Sequence, residues 1–323
     1  MKKAMEDHAR PETRTQGRWS VWVLLLLAFL ALSLSLAAHP TEVDLGALQV
    51  QVMLDRCGFS PGLIDGHVGD NARKALAKFQ AQGNKEWLVV PLLANYRITA
   101  EDAEGPFLAI PSGLKKQASL KSLGYPSLLE ALAERFHSSP QLLRQLNPRA
   151  PFVEGAEVRV PNVNWMAMPV DRSRGEMGPV NGVMAKPVVV VTVEKSSSSL
   201  TVADSVGKIV FYAPVTTGSL HDPLPLGEWK VLGVKFNPTF LYNPSLFWNS
   251  RSTDRKALLP AGPRNPTGLV WVELSKPHYG MHGTPNPALI GRTHSHGCVR
   301  LTNWDALRLA SLVKPGTRVL FTE

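Results

Sequence analysis

Between Val43 and Gln82 apolar residues recur at helical spacing, interrupted once by glycine-rich turns. Leu45, Leu48, Val52 and Leu54 give a first segment one apolar face, and Ala72, Leu76 and Phe79 do the same for a second. Gly58, Pro61-Gly62 and Asp65-Gly66 punctuate the space between them, and Asp70 is placed to cap the second helix. Another helical pair is predicted from 125 to 162. Ser127, with Glu130 three residues on, reads as a capping box; Ser138-Ser139-Pro140 opens the next helix, and Val158-Arg159-Val160 closes the segment as a short strand. No leading strand is evident before Tyr125, so 84–124 reads as a connecting region. Residues 163–185, rich in Met, Gly, Pro and Arg, carry no sustained period and read as a linker.

From 186 onward the pattern changes. "KPVVVVTV", "SLTVADSVGKIVFYAPVTTG", "GEWKVLGVKF", "GLVWVEL" and "TRVLF" are short β-branched and aromatic runs separated by turn residues. They predict a β-sandwich-like domain over 186–322. One helix interrupts it: Thr302 caps its start, Asp305 stands at the third helical position, Leu307, Ala310 and Leu312 face inward, and Pro315-Gly316 ends it. "FNPTFLYNPSLFWNS", at 236–250, has enough aromatic and polar surface to line a cleft or to pack as a loop over the sheet. The expected fold class is multidomain α+β: an N-terminal membrane segment, a small helical module at 41–83, an αβ module at 125–162 and the C-terminal β domain.

The membrane segment is the run VWVLLLLAFLALSLSLAA at 21–38, uncharged and preceded by Lys2, Lys3, Arg10, Arg14 and Arg18. Residues 1–38 are expected to be a cytoplasmic leader with a signal anchor or signal peptide. Trp19 and Trp22 suit a membrane interface and favour an anchor through 19–38, whereas Ser35-Leu36-Ala37 offers a cleavage pattern. Either fate exports the rest of the chain. Export removes nucleic acid from the partners that a formal charge of +9 would suit, leaving an anionic surface or polymer. It also implies an oxidising compartment, yet there are only two cysteines, Cys57 and Cys298, in separate modules. Cys57 reads as a small buried hydrophobe, and Cys298 as a reduced thiol.

"YGMHGTPNPALIGRTHSHGCVRL", residues 279–301, surrounds that thiol with histidines. A thiol near its free pKa of about 8.5 needs a base or a cationic neighbour to be a nucleophile at neutral pH. His296 is two residues from Cys298 and in an extended segment would flank the sulfur. His282 stands far enough upstream for a loop through Pro285, Pro287 and Gly291 to return a second strand alongside, so it is the better base; His278 and His294 read as packed or surface residues. Gly283 and Gly297 permit tight backbone, and Gly297 places an expected oxyanion hole at the amides of His296, Gly297 and Cys298. Arg300 suits a substrate carboxylate.

"MHGT" followed by "SHGCVRL" resembles the catalytic signature of the L,D-transpeptidases, and "PLGEWKV" at 225–231 resembles that family's strand before the site. The resemblance covers 186–322. It implies His282 as general base, Cys298 as nucleophile and Gly297 in the oxyanion hole, with Ser295, His296, Tyr279, Gly283 and Arg300 supporting the site or meeting substrate. It implies no cofactor. The implied reaction is acyl transfer on a peptidoglycan stem peptide: a Cys298 thioester at the position-three diamino acid, loss of D-alanine, and resolution by an amine. That amine is another stem, a lipoprotein lysine or a free D-amino acid; water would give carboxypeptidase activity.

The modules agree with a wall substrate. "LQVQVMLDRCGFSPGLIDGHVGDNARKALAKFQAQG" resembles the peptidoglycan-binding helical module of wall enzymes, departing from it at Asn71-Ala72, where a threonine is common. Ala133-Glu134-Arg135-Phe136, Leu146-Asn147-Pro148 and Val158-Arg159-Val160-Pro161 resemble a glycan-binding LysM module. Two other readings compete. In a zinc peptidase His294, His296 and Cys298 would bind metal from one strand face with His282, although three alternate positions span roughly 13 Å at about 3.3 Å per residue, too far for one ion on an unbroken strand. In a wall-binding scaffold the β domain would be inert.

Overall fold

The computed structural model describes residues 43–83, 91–165, 188–247, 250 and 255–323. The apolar run at 21–38, most of the linker and the start of the connecting region lie outside them. Among the described residues no helix is long and apolar enough to cross a membrane.

Helix α1 (Leu45–Arg56) is capped by Asp44, whose carboxylate accepts from the Ala47 amide at 2.9 Å. Helix α2 (Asp70–Ala81) starts after Gly69, so Asp70 is not its cap; it lies in the first turn and pairs with Arg73 at 2.6 Å. An acid there still suits the positive end of the helix dipole. Strand β1 (Leu93–Arg97), two short helices α3 (Ala100–Ala103) and α4 (Leu114–Ala118), then α5 (Leu128–Arg135), α6 (Pro140–Leu146) and β2 (Glu157–Pro161) follow. β1 pairs antiparallel with β2 from Leu93 opposite Pro161 to Arg97 opposite Glu157. This strand lies in the stretch that the sequence pattern assigns to a connection. Ser127 and Ser139 cap α5 and α6 through the Glu130 and Leu142 amides.

α1 is buried on two sides. Leu48 and Val52 enter a core with Ile98, Leu132, Phe136, Leu142 and Val160, while Met53 and Leu54 enter another with Phe59, Ala75, Phe79 and Tyr212. Leu45, on the predicted apolar face, is exposed. Two cores on one helix fuse the helical segment with the αβ segment.

The C-terminal part holds β3 (Val189–Glu194), β4 (Ser199–Asp204), β5 (Ile209–Pro214), β6 (Gly227–Phe236), β7 (Phe240–Tyr242), β8 (Ala257–Leu259), β9 (Val270–Leu274), β10 (Gly280–His282), β11 (Val299–Arg300), α7 (Asn303–Leu312) and β12 (Arg318–Thr322). Instead of two separate sheets it has one mixed eight-stranded sheet, in the order β11-β10-β9-β6-β12-β3-β4-β5, with β7 and β8 forming a ribbon beside it. The reason lies in β6. Its first residues pair with β12, its later ones with β9, and its register shifts between Val231 and Gly233, so one strand serves both halves. Val191, Val202, Val272, Met281, Val299 and Val319 join Leu307, Leu309 and Ala310 of α7 in its core.

The helical part grips this sheet at its edge. Gly58 and Ser60 exchange hydrogen bonds with Tyr212 of β5, both at 2.9 Å, and Ser60 Oγ donates to Asp305 of α7 at 3.0 Å.

Candidate active site

β10 and β11 are parallel neighbours, Met281 opposite Val299 and His282 opposite Arg300. Parallel strands need a long crossover; residues 283–298 supply it, with a 3-10 turn at Pro287–Leu289. Cys298 directly precedes β11 and so stands beside the start of β10. Its thiol donates to the main-chain oxygen of His278 at 3.8 Å.

Residues 295–298 are folded rather than extended. Gly297 has φ +100°, and a Cβ there would fall 2.5 Å from the Tyr279 ring. Ser295 ties the turn: its hydroxyl accepts from the Gly297 amide at 3.1 Å and donates to the Cys298 carbonyl at 2.5 Å. The Gly297 amide is thereby engaged by the Ser295 hydroxyl. The Ser295 amide bonds Thr217, and Arg300 exchanges main-chain bonds with Thr216 at 2.9 and 3.0 Å, fastening both ends of the turn to one neighbouring segment.

His282 is buried, and its Nδ1 lies 2.7 Å from the carbonyl oxygen of Gly283. A carbonyl only accepts, so Nδ1 carries the proton and Nε2 keeps a lone pair. The Trp271 ring stacks on the imidazole, centroids 5.6 Å apart. Burial pushes the His282 pKa down to about 4; the Gly283 bond opposes this and the Arg300 charge adds to it. Burial raises the Cys298 thiol, partly offset by the Gly280 main chain and Arg300. The resting pair is therefore a neutral imidazole and a neutral thiol. Arg300, half-buried, donates to the His294 carbonyl at 3.4 Å.

The other predicted histidines part company. His296 packs edge-on against Phe247 at 4.9 Å, which brings the segment that follows β7 to the site, while His278 and His294 are exposed. The strand assumed for a zinc site is broken at Gly297, and among the described residues no three His, Cys, Asp or Glu side chains stand together as a metal site. Trp271, Phe247 and Asn303 were missed. Trp271 is the cross-strand partner of His282, a signal visible only once the register of β9 and β10 is known.

The sheet thus brings a buried histidine at the end of β10 and a thiol just before β11 onto neighbouring strands. Residues 188–320 match the family model of the YkuD L,D-transpeptidase catalytic domain. The chain is similar to YkuD of Bacillus licheniformis, 29% identical over 195 residues, which are 60% of this chain and 93% of that one. It is similar to YkuD of Bacillus subtilis, 36% identical over 106 residues, 33% of this chain and 49% of the relative, so it spans about half of that protein. Among solved structures, L,D-transpeptidase 3 from Mycobacterium tuberculosis, in complex with a faropenem-derived adduct, aligns over 54% of this chain and 77% of its own at 19% identity and a TM-score of 0.36.

Proposed function

We propose that the protein is a cysteine L,D-transpeptidase of peptidoglycan, working in the cell envelope. The observation that carries this reading is the pairing of β10 with β11, which sets a tautomer-fixed, neutral His282 beside the strand that Cys298 leads. In the first step Nε2 of His282 takes the thiol proton as sulfur attacks the carbonyl of the position-three diamino acid. The C–S bond forms, the C–N bond to D-alanine breaks, and the imidazolium returns its proton to the leaving amine. The Cys298 amide is the expected donor to the oxyanion, in place of Gly297, and Arg300 is expected to meet a stem carboxylate. An acceptor amine then attacks the thioester, giving its proton to His282; the C–N bond forms, the C–S bond breaks, and the leaving sulfur takes the proton back from the imidazolium to restore the thiol. A second stem gives a 3-to-3 cross-link, a lipoprotein lysine an anchor, a free D-amino acid an exchange.

In this reading residues 43–83 and 91–163 hold glycan. The antiparallel β1–β2 pair around α5 and α6 supports the LysM-like assignment by supplying the leading strand that the sequence pattern lacked. The apolar run at 19–38 would place the enzyme on the periplasmic face of the inner membrane.

The test is to incubate the full chain with a disaccharide tetrapeptide containing the diamino acid, beside Cys298→Ala, and to follow products by mass spectrometry. Loss of D-alanine with dimer or acyl adduct, absent in the variant, is the expected result. No reaction from folded protein would favour a scaffold, and turnover only with added zinc would sink the thiol mechanism.

A further inference from the structure

Helix α5 belongs to the segment read as a glycan-binding module, yet two of its side chains lead to the turn that follows His282. Glu130 and Glu134 stand one turn apart on the same helix face. The Glu130 carboxylate pairs with Arg264, and the same guanidinium donates to the carbonyl of Pro285. Glu134 Oε1 accepts from Asn303 Nδ2 at 2.7 Å and from the Tyr125 hydroxyl at 3.1 Å.

Asn303, fully buried, converts that bond into a constraint. With Nδ2 held by Glu134 and, more weakly, by the Pro263 carbonyl at 3.2 Å, the carboxamide keeps one orientation, and its Oδ1 faces the other way, where it accepts from the Leu269 amide at 3.0 Å. There Oδ1 fills the space that a Cβ would need at both Gly268 and Gly283. The carbonyl of Gly283 is the one that fixes Nδ1–H of His282. Residues 283–285 are thus held at one end by Asn303 and at the other by Arg264, and α5 anchors both.

We infer that Glu130 and Glu134 are positioning residues for His282: α5 holds the turn that fixes the imidazole tautomer, so this module completes the catalytic site. Simple docking of two modules does not need this arrangement. Apolar contacts would suffice, whereas the buried carboxylate of Glu134 carries a desolvation cost, and it and the half-buried Glu130 lead through Asn303 and Arg264 to the same three residues. The inference rests on the reading of His282 as general base.

The experiment compares the full chain with Glu134→Ala, Glu134→Gln and Glu130→Gln, by kcat and KM for D-alanine release and by nitrogen NMR of the His282 ring, assigned by its loss in His282→Gln. Wild type should show a protonated Nδ1. Glu134→Ala should show averaged tautomers and a kcat lower by about tenfold or more with little change in KM, the pattern of a displaced catalytic group. Glu134→Gln, whose amide oxygen can still accept from Asn303, should recover most of the loss. Glu130→Gln should shift both readouts in the same direction as Glu134→Ala. Wild-type ring signals and kcat in folded Glu134→Ala would overturn the inference; if that variant does not fold, Glu130→Gln decides by the same criterion. A wild type with a protonated Nδ1 that releases no D-alanine would overturn the proposed function instead, and the ring signals of the variants would still decide the positioning role.

Discussion

His282 titrates near 4 rather than in the usual imidazole range because its environment excludes water, and the sign of this shift matters for activity. In the proposed mechanism His282 must be unprotonated to accept the thiol proton, and the depressed pKa keeps it so from neutrality down to mildly acidic pH. With the Cys298 thiol raised, the pair stays neutral over that interval, and no ion pair forms or dissolves as pH changes. The rate of D-alanine release, measured from pH 5 to 7.5, should therefore lack the fall near pH 6.5 that an ordinary histidine would impose; a half-maximal point at 6 to 7 would contradict it. Much of the arrangement of the candidate site was legible in the sequence because the residues crowd into one short stretch. His282, Ser295, Gly297, Cys298 and Arg300 differ in position by the spacing of two adjacent strands and a crossover. Trp271 and Asn303 were illegible for the opposite reason: each meets the site through another element, and neither residue type signals chemistry. The tight turn at Gly297 was legible too, but spacing does not show that its amide bonds the Ser295 hydroxyl.

The capping chemistry of α7 illustrates how far local rules reach. Thr302, Asp305, Leu307 and Ala310 were all foreseen in place, and the Thr302 hydroxyl does accept from the Asp305 amide at 3.1 Å. What local pattern could not reveal is that the same hydroxyl donates to the Asp305 carboxyl at 2.7 Å, next to the bond from Ser60 of another module. Thr302→Ala should therefore cost more than an ordinary lost cap, above the typical figure of about 1 kcal/mol, because a buried acceptor loses a partner as well. Urea unfolding of the full chain checks this, and a loss well under that figure would show the carboxyl is satisfied without Thr302. Strand β1 went unseen because Leu93–Arg97 is short and alternates only between half-buried and exposed positions, so its pairing with β2 owes more to tertiary packing than to local pattern. The bend in β6 is similar: two runs of strand-forming residues predict strands, while the number of sheets depends on a register shift at Val231.

Across the whole molecule, the modules meet through buried acids. Asp305 and Glu134 are both pushed up to about 7, burial being the main cause in each; Asp55 adds to the shift of Asp305, and the neighbouring His137 opposes it in both. A carboxyl whose folded pKa lies above its unfolded value of about 4 stabilises fully below that value and loses the contribution as pH rises through about 7. The midpoint of thermal unfolding should thus decline from pH 5 to pH 8. Asp305→Asn, which keeps an acceptor for Ser60 and Thr302, should flatten that decline; a slope equal to wild type would locate the titration elsewhere. By composition the sequence reads as modules with linkers. Shared cores, though, arise from faces of α1 that a single helical period cannot assign to different partners. One consequence follows from the bonds between Gly58, Ser60 and Tyr212. β5 ends the eight-stranded sheet, and an open terminal strand is a template on which other chains polymerise. Here residues 58–60 occupy that template, so cutting the helical segment away to obtain a minimal enzyme would release a sticky edge, and insolubility of such a fragment would reflect a missing chaperone-like cover rather than a misfolded catalytic domain.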